Sequence, residues 1–526
     1  MKDKVLNTTI GIITRIFCIV MAILFSILFI MNLIGTTTVD VTKNDFAEYA
    51  LYTIGNPIVS IIVFVLLLVL LYVLFDLKTI EKINEVRMKR VVFVVVMVLG
   101  LVWVLLTRGR PVEDQAIVST TASDFINNNF SSFNVGEYLS RLPQQIGPTF
   151  LLERIYRIFG PNNYQAVMFI NIICCGGIFL NLYAIIKSVY DNKKILNWFS
   201  IIFAFFLAFP MYSNFVYGTI IGLFFATLGI RLFVKVLQLE EKISKKKILL
   251  YIAALLSFAF SIICKANDEI IVIAVIICAI IYVVKKRQYI NIIFALLLVV
   301  SFFGISLVQL HYKNVSHKDI NTSSPPSMWI AMGLQEGSLK DGCGANGWYN
   351  GYAGSISGIA AEDYEKADKI AKKDMHKRLS DFAKDPWGAV KFFGGKVSSQ
   401  WAEPSYQVFW MLTCRSSHEE LSEIGKSALE ENICNLLTKI MRYVLLIILL
   451  GNVFFFWKNR KEGNYLIFIL GMCMLGGFLF HLMWEAKALY SMPYILLSVP
   501  CGAIGFTYMM DSVKKIVDKK LIKKNA

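Results

Sequence analysis

Long stretches of apolar residues alternate with short polar turns along almost the whole chain. About 20 apolar residues in a helix cross roughly 30 Å of hydrocarbon. Stretches of about that length fall at residues 10–34, 55–76, 91–107, 165–187, 195–211, 216–236, 248–264, 268–284, 289–310, 438–457, 464–483 and 489–510. The pattern predicts an all-α polytopic membrane protein of about 12 transmembrane helices. The first run, Ile10 to Ile34, is longer than the apolar part of a cleavable leader and lacks a small-x-small cleavage site, so it is expected to be a retained helix.

Three segments between the spans are more than turns. Arg108 to Asn163 carries the acidic pair Glu113-Asp114 and an amphipathic stretch from Tyr138 to Ile158. Met211 to Tyr217 forms a brief polar-aromatic loop. His311 to Asn435 begins Gly-rich, and Ala361 to Ala383 then shows helical spacing with heavy charge. A segment that long is expected to pack as a small α-rich domain against the membrane. The expected divisions are 1–90, a helix pair and linker; 91–310, a membrane core with the catalytic loop 108–163; 311–437, the extracytoplasmic domain; and 438–526, the last helices and a basic tail.

Composition agrees with this class: 526 residues, 56% hydrophobic, 17% charged and mean hydropathy +0.59. Charge sets the expected orientation. Lys2 and Lys4, Lys78 to Arg90, Lys187 to Lys194, Arg231 to Lys247, Lys285 to Arg287, Lys458 to Lys461 and Lys514 to Lys524 all fall on one side when the spans alternate. Both termini are therefore expected in the cytoplasm, with the acidic pair and the segment 311–437 outside. The net charge of +16 is read as this asymmetry plus a tail at the lipid surface. No nucleic-acid partner is expected, because the cations are scattered over short turns.

Seven of the ten cysteines lie in or at the ends of apolar runs and read as small packing residues. Cys343, Cys414 and Cys434 leave one disulfide open and one thiol over, and no metal-ligand spacing occurs.

A carboxylate at the outer end of a membrane helix can take the proton of an acceptor hydroxyl, which is a poor nucleophile at neutral pH. Asp114 and Glu113 are the candidates. If the donor is a sugar on a lipid phosphate, the leaving group needs cations rather than a general acid. Arg141, Lys265 and Lys487 are the cations that the alternation of spans puts on that face.

The order of RGRPVEDQAIVSTTASDF, YLSRLPQQIGPTFLLERIYRIFG, FPMYSNFVYGTIIGL, IICKANDEIIVIA, KFFGGKVSSQWAEPSY and WEAKALYSMPY, from about Arg90 onward, resembles the GT-C superfamily of integral membrane glycosyltransferases. The resemblance is to polyprenyl-phosphate-sugar-dependent members of Gram-positive bacteria and, more distantly, to protein O-mannosyltransferases and the lipid A aminoarabinose transferase. It implies a GT-C-like fold and transfer of a sugar from a polyprenyl phosphate to an extracytoplasmic glycan or cell-wall polymer, with inversion. The family's first-loop base falls on Asp114, with Glu113 as helper, and Arg141, Lys265 and Lys487 would contact the donor phosphate. Tyr138, Gln144, Gln145, Tyr212, Asn214, Tyr217, Asn267, Glu485 and Tyr490 would line the substrate site. Trp401, with Glu403 and Pro404, would hang over its mouth, and Trp401 or Trp348 would stack on a sugar. The chain departs from the family at Leu489, where relatives show arginine. No cofactor is required, although a divalent cation on Glu113-Asp114 is open. His481 reads as a hydrogen-bonded packing residue, and Asp268 as a reserve base. The competing classes are a lipid-linked glycan flippase or transporter, and a glycan polymerase or ligase acting through Arg378 and Arg415.

Overall fold

The computed structural model describes residues 2–39, 48, 50–74, 77–239, 242–318, 320, 324–337, 345–413 and 431–525. Eleven helices among them are long and apolar enough to cross a membrane, and a bent pair, Lys193–Phe205 and Ala208–Asn214, makes up to 12. The chain is thus a multi-pass membrane protein and nearly all helix.

The longer elements are α1 (Lys2–Ile34), β1 (Gly35–Val39), β2 (Ala50–Ile54), α2 (Pro57–Leu74), α3 (Glu85–Thr107), α4 (Asp114–Ile126), α5 (Ile146–Phe159), α6 (Tyr164–Val189), α7 (Lys193–Phe205), α8 (Thr219–Gln238), α9 (Lys245–Cys264) and α10 (Glu269–Lys286). After these come α11 (Phe303–Ser316), α12 (Pro326–Gly333), α13 (Tyr352–Ile359), α14 (Tyr364–Lys384), α15 (Pro386–Trp401), α16 (Glu431–Asn459), α17 (Tyr465–Met483) and α18 (Met492–Asn525).

The polar turns start these helices by supplying side-chain acceptors for amides that have no partner inside the helix. Asn84, Asn163, Asn192, Ser244 and Asn464 do this for α3, α6, α7, α9 and α17. The predicted span 195–211 bends by 48°. Pro210 lies just beyond the bend and has no amide to return to the Phe206 carbonyl. The last span before the long polar segment is interrupted by a 3-10 stretch, Leu297–Phe302.

α1 packs along α16, which packs along α18, so the N-terminal helix belongs to the main apolar core. α2 joins it along one face only: Ser60 and Phe64 are buried, Phe64 against Phe29 of α1 at 5.6 Å between ring centres, while Ile58, Ile62, Leu66, Leu70 and Leu74 face outward. The one sheet among the described residues pairs β1 with β2 antiparallel, Thr37 opposite Tyr52. Thr37 is anchored on the end of α15, its amide donating to Ala402 O at 2.8 Å and its hydroxyl to Ser398 O at 2.8 Å.

Helices α12 to α14 enclose a second small core of Met328, Ala331, Ala353, Ile356, Ala360, Ala367 and Ala371. α14 covers the stretch for which the charge pattern predicts a helix, with Asp363 as its N-cap. Lys396 ties this unit down. Its ammonium is buried and donates to Gly333 O at 2.5 Å and Trp484 O at 2.7 Å. Gly347, at φ +72°, passes so close that a Cβ would lie 2.5 Å from Gly333 O, and its carbonyl accepts from Ala486 N at 2.8 Å.

Burial, opposed by Glu485, pulls the Lys396 amine down to about 7. The neutral amine keeps two N–H groups for two carbonyls, so losing the proton costs neither hydrogen bond. Because the folded value is depressed, stability falls as pH drops from the unfolded lysine range to about 7, levels off below that, and is recovered as pH rises again. Between pH 7 and 9 the unfolding free energy should therefore rise more steeply in the wild type than in Lys396→Met, by at most about 1.4 kcal/mol per pH unit. Thermal unfolding in lipid at several pH values measures this, and equal slopes would refute it.

Candidate functional site

The acidic pair sits where the chain turns sharply into α4. Glu113 is the N-cap at φ 50°, ψ −130°, a conformation that costs an L-residue about 1–3 kcal/mol. The turn makes Asp114 the first residue of the helix and leaves it exposed. Gln115, the next residue, is buried and accepts from Val216 N at 2.9 Å, which pins the loop carrying Tyr217 against the start of α4. Asn171, inside α6, supports the same loop by donating to Ser213 O at 3.3 Å and Phe215 O at 2.9 Å. Gly218 then lets the loop cross the end of α9. A Cβ there would lie 1.7 Å from Cys264 O, so only glycine brings Tyr217 up to Lys265.

Eight of the predicted side chains, Asp114, Tyr138, Gln145, Tyr217, Lys265, Glu485, Lys487 and Tyr490, converge at this crossing. The Lys265 ammonium lies 4.7 Å from the centre of the Tyr217 ring and 5.8 Å from that of Tyr490. The Lys487 ammonium is 3.8 Å from Glu485 Oε1. Asp114 acts electrostatically on Tyr138, Tyr217, Lys265, Glu485, Lys487 and Tyr490. The buried Tyr138 hydroxyl faces the Asp114 carboxylate without closing a hydrogen bond of ordinary length. Gln145 reaches towards the Tyr217 hydroxyl.

Burial, first of all, pushes Tyr138, Tyr217 and Tyr490 well above the usual phenol range, so they serve as neutral O–H donors. Burial also lowers Lys265, against the pull of Asp268 and Asp114. For Lys487 burial works the same way, but Glu48 and Glu485 outweigh it and hold the ammonium well above its ordinary value. Burial lifts Glu485 to about 7 against the pull of Lys487, so it is a second carboxyl able to carry a proton near neutral pH.

Two groups at the site were not predicted. Glu48, just before β2, pairs with Lys487 at 3.1 Å, and the exposed Tyr349 ring lies 5.9 Å from the same ammonium. Neither stands in a motif or a periodic stretch.

The other predicted residues fall elsewhere. Arg141 ends the short helix Tyr138–Arg141, is exposed, and acts on Tyr349 rather than on the centre of the cluster. Gln144 is exposed in the turn Pro143–Gln145, and Asn267 is half-buried in the turn Ala266–Asp268. Asn214 is buried and donates to Thr107 Oγ1 at 2.6 Å.

Tyr212 is fully buried with its hydroxyl donating to Tyr406 O at 2.6 Å, so it is a core strut and has no face for a sugar. Trp401 is buried against Phe478 at 5.5 Å between ring centres, and Trp348 is buried with its indole donating to Ser399 Oγ at 2.9 Å. Neither ring is open for stacking. Glu403 lies buried below them, accepting from Ser405 N at 3.1 Å and Gln407 N at 2.6 Å. The segment expected to overhang the site is therefore packed into the fold.

His481 is buried and stacks on Tyr490 at 5.3 Å, and neither ring nitrogen has a hydrogen-bond partner of ordinary length among the described residues. It packs by stacking rather than by hydrogen bonding. Asp268 is buried and accepts from Ser261 Oγ at 2.5 Å. Arg378 clasps Leu334 O and Glu336 at the edge of α14, away from the cluster. Arg415, Cys343 and Cys414 lie outside the described residues. Cys434 is buried, as are the seven cysteines of the apolar runs. Among the described residues no three His, Cys, Asp or Glu side chains gather as a metal-ligand set.

No family model matches the chain, and no curated protein matches it. Two solved structures are similar to it. One is the oligosaccharyltransferase of Archaeoglobus fulgidus in the apo form, 12% identical with a TM-score of 0.44, over 84% of this chain and 52% of that one. The other is the archaeal oligosaccharyltransferase AglB from Archaeoglobus fulgidus in complex with an inhibitory peptide and a dolichol-phosphate, 12% identical with a TM-score of 0.43, over 82% of this chain and 52% of that one. The chain spans about half the length of these two structures.

Proposed function

We propose that the protein is a GT-C-type glycosyltransferase that moves a sugar from a polyprenyl-phosphate donor to a glycan or polymer outside the cytoplasm, with inversion. The observation that carries this reading is the meeting of one exposed carboxylate, Asp114, with two ammonium groups, Lys265 and Lys487, among neutral tyrosine hydroxyls. A lone carboxylate at a helix end has no such company.

In the proposed step the acceptor hydroxyl gives its proton to Asp114 as its oxygen bonds to the anomeric carbon. The bond from that carbon to the phosphate oxygen breaks, and the lipid phosphate leaves with the electron pair. Lys265 and Lys487 hold the charge that builds on the phosphate, and Tyr217 and Tyr490 offer donors beside it. Attack opposite the leaving group inverts the anomeric centre. The decisive assay is transfer by purified protein from a radiolabelled polyprenyl-phosphate sugar, and no transfer to any extracytoplasmic polymer would reject the reading.

The same reading needs the site outside the cytoplasm. Ser355 on α13 is exposed. A cysteine at Ser355 should react with a membrane-impermeant thiol reagent in intact cells after Cys343, Cys414 and Cys434 are replaced. Reaction only after lysis would reverse the topology and remove the proposal with it.

A further inference from the structure

Lys487 is held by a residue from a part of the chain to which the motifs of the site do not extend. Glu48 lies on the connection between β1 and β2, two residues before the start of β2, and its Oε1 is 3.1 Å from the Lys487 ammonium, closer than Glu485 at 3.8 Å. The Glu48 side chain is 8% exposed. Gln407 donates to the same Oε1 at 3.3 Å and accepts from Leu489 N at 3.1 Å, so one amide fixes both the carboxylate and the turn that carries the lysine. Glu48 Oε2 is buried with no hydrogen-bond partner among the described residues. A buried carboxylate in that state needs its cation. The hairpin itself is fixed, since Val39 and Ala50 pack with Ala345, Trp348, Ala486 and Ala488 in one small apolar cluster.

We propose that Glu48 is a positioning residue of the transfer site, fixing the Lys487 ammonium where the leaving lipid phosphate is to be held. The proposal rests on the transferase reading above. A lysine ammonium is a compact charge on a flexible four-carbon stem, and it stabilises a developing charge best when it is already in place. The groups facing Lys487 are Glu48 from the β1–β2 connection, Glu485 and Tyr490 from its own turn, Asp114 from α4, Tyr217 from the loop before α8, Lys265 from the end of α9, and the Tyr349 ring. Glu485 is a weaker counter-ion because burial raises it to about 7, which leaves Glu48 as the carboxylate that keeps the lysine charged.

The test uses the full chain in lipid nanodiscs with Glu48→Gln and Glu48→Asp, their folding followed by thermal unfolding. The first readout needs no substrate: the reactivity of the Lys487 amine towards an acylating reagent, measured against pH by mass spectrometry. Its midpoint should fall by roughly one pH unit or more in Glu48→Gln, because the opposite charge that favours the ammonium is gone. The second is transfer. Glu48→Gln should lose about tenfold or more in kcat with a raised donor KM, Glu48→Asp should recover part of it, and in a Lys487→Met background Glu48→Gln should add nothing. An unchanged labelling midpoint, full kcat in Glu48→Gln, or equal losses with and without Lys487 would each overturn the proposal. Absence of transfer in the wild type, with the labelling shift present, would instead fail the transferase reading and leave the coupling of Glu48 to Lys487 standing. If Glu48→Gln fails to fold, Glu48→Asp carries both readouts with a smaller fall in the midpoint and a partial loss of transfer, because its carboxylate stands further from the ammonium.

Discussion

Asp114→Asn is expected to reduce sugar transfer by roughly a hundredfold or more, the range for losing a general base. The amide keeps the size and polarity of the carboxylate at the start of α4 but cannot take the acceptor's proton. Donor binding, measured with the labelled polyprenyl-phosphate sugar, should survive, so the loss should fall on kcat. Glu113→Gln should do less, because Asp114 is the carboxylate that acts on the tyrosines and lysines of the cluster. Equal losses in both variants would point to a shared role for the pair. Wild-type turnover in Asp114→Asn would remove it as the base and turn attention to Glu485, which burial lifts to about 7 and which would give the rate profile a limb near that pH.

The second large effect is expected at Lys265. Lys265→Met keeps much of the stem that lies over Tyr217 and Tyr490 but removes the charge. Removal of one preorganised partner of a developing negative charge costs on the order of a hundredfold to a thousandfold in rate. Part of the loss should appear in donor KM, since the phosphate is charged before the bond breaks. Lys265→Arg should recover only a fraction, because the larger guanidinium spreads over its plane the charge that the compact ammonium places at one point. Burial disfavours the Lys265 ammonium, so its loss should not weaken the fold, and thermal unfolding should show little change. Normal transfer by Lys265→Met would take this residue out of the site and leave Lys487 to hold the phosphate alone.

The membrane spans were legible because a helix that crosses hydrocarbon must be apolar along its whole length, and nothing local competes with that requirement. The bend before Pro210 was not marked, since a short break leaves the apolar run unbroken. At the site, Asp114, Lys265, Glu485, Lys487 and Tyr490 could be found because each is an ionisable or polar group at the end of an apolar run, where it costs least to place and most often acts. Glu48 and Tyr349 could not be found that way. They come from stretches with no periodic signal, and only the packing of the hairpin and of Gly347 against the 484–490 turn brings them near. Trp401 and Tyr212 show the converse. An aromatic residue near the boundary of the membrane looks the same in a sequence whether its ring meets a sugar or fills a hole. What decides is a partner far along the chain, Phe478 for one and the Tyr406 carbonyl for the other.

The outward-facing α2 bears on how the protein must be handled. With only Ser60 and Phe64 buried, that helix meets its neighbours along one narrow face, against α1, and the rest of its surface is covered by acyl chains. A short-chain detergent that wets it poorly will release it first, and the strand immediately before it, β2, leads straight back to Glu48. Extraction would then cost activity while most of the spans stayed folded and the protein still ran as a single species on a sizing column. Monodispersity is therefore the wrong criterion for choosing a preparation; a lipid disc whose thickness matches the 18 residues of α2 is the right starting point.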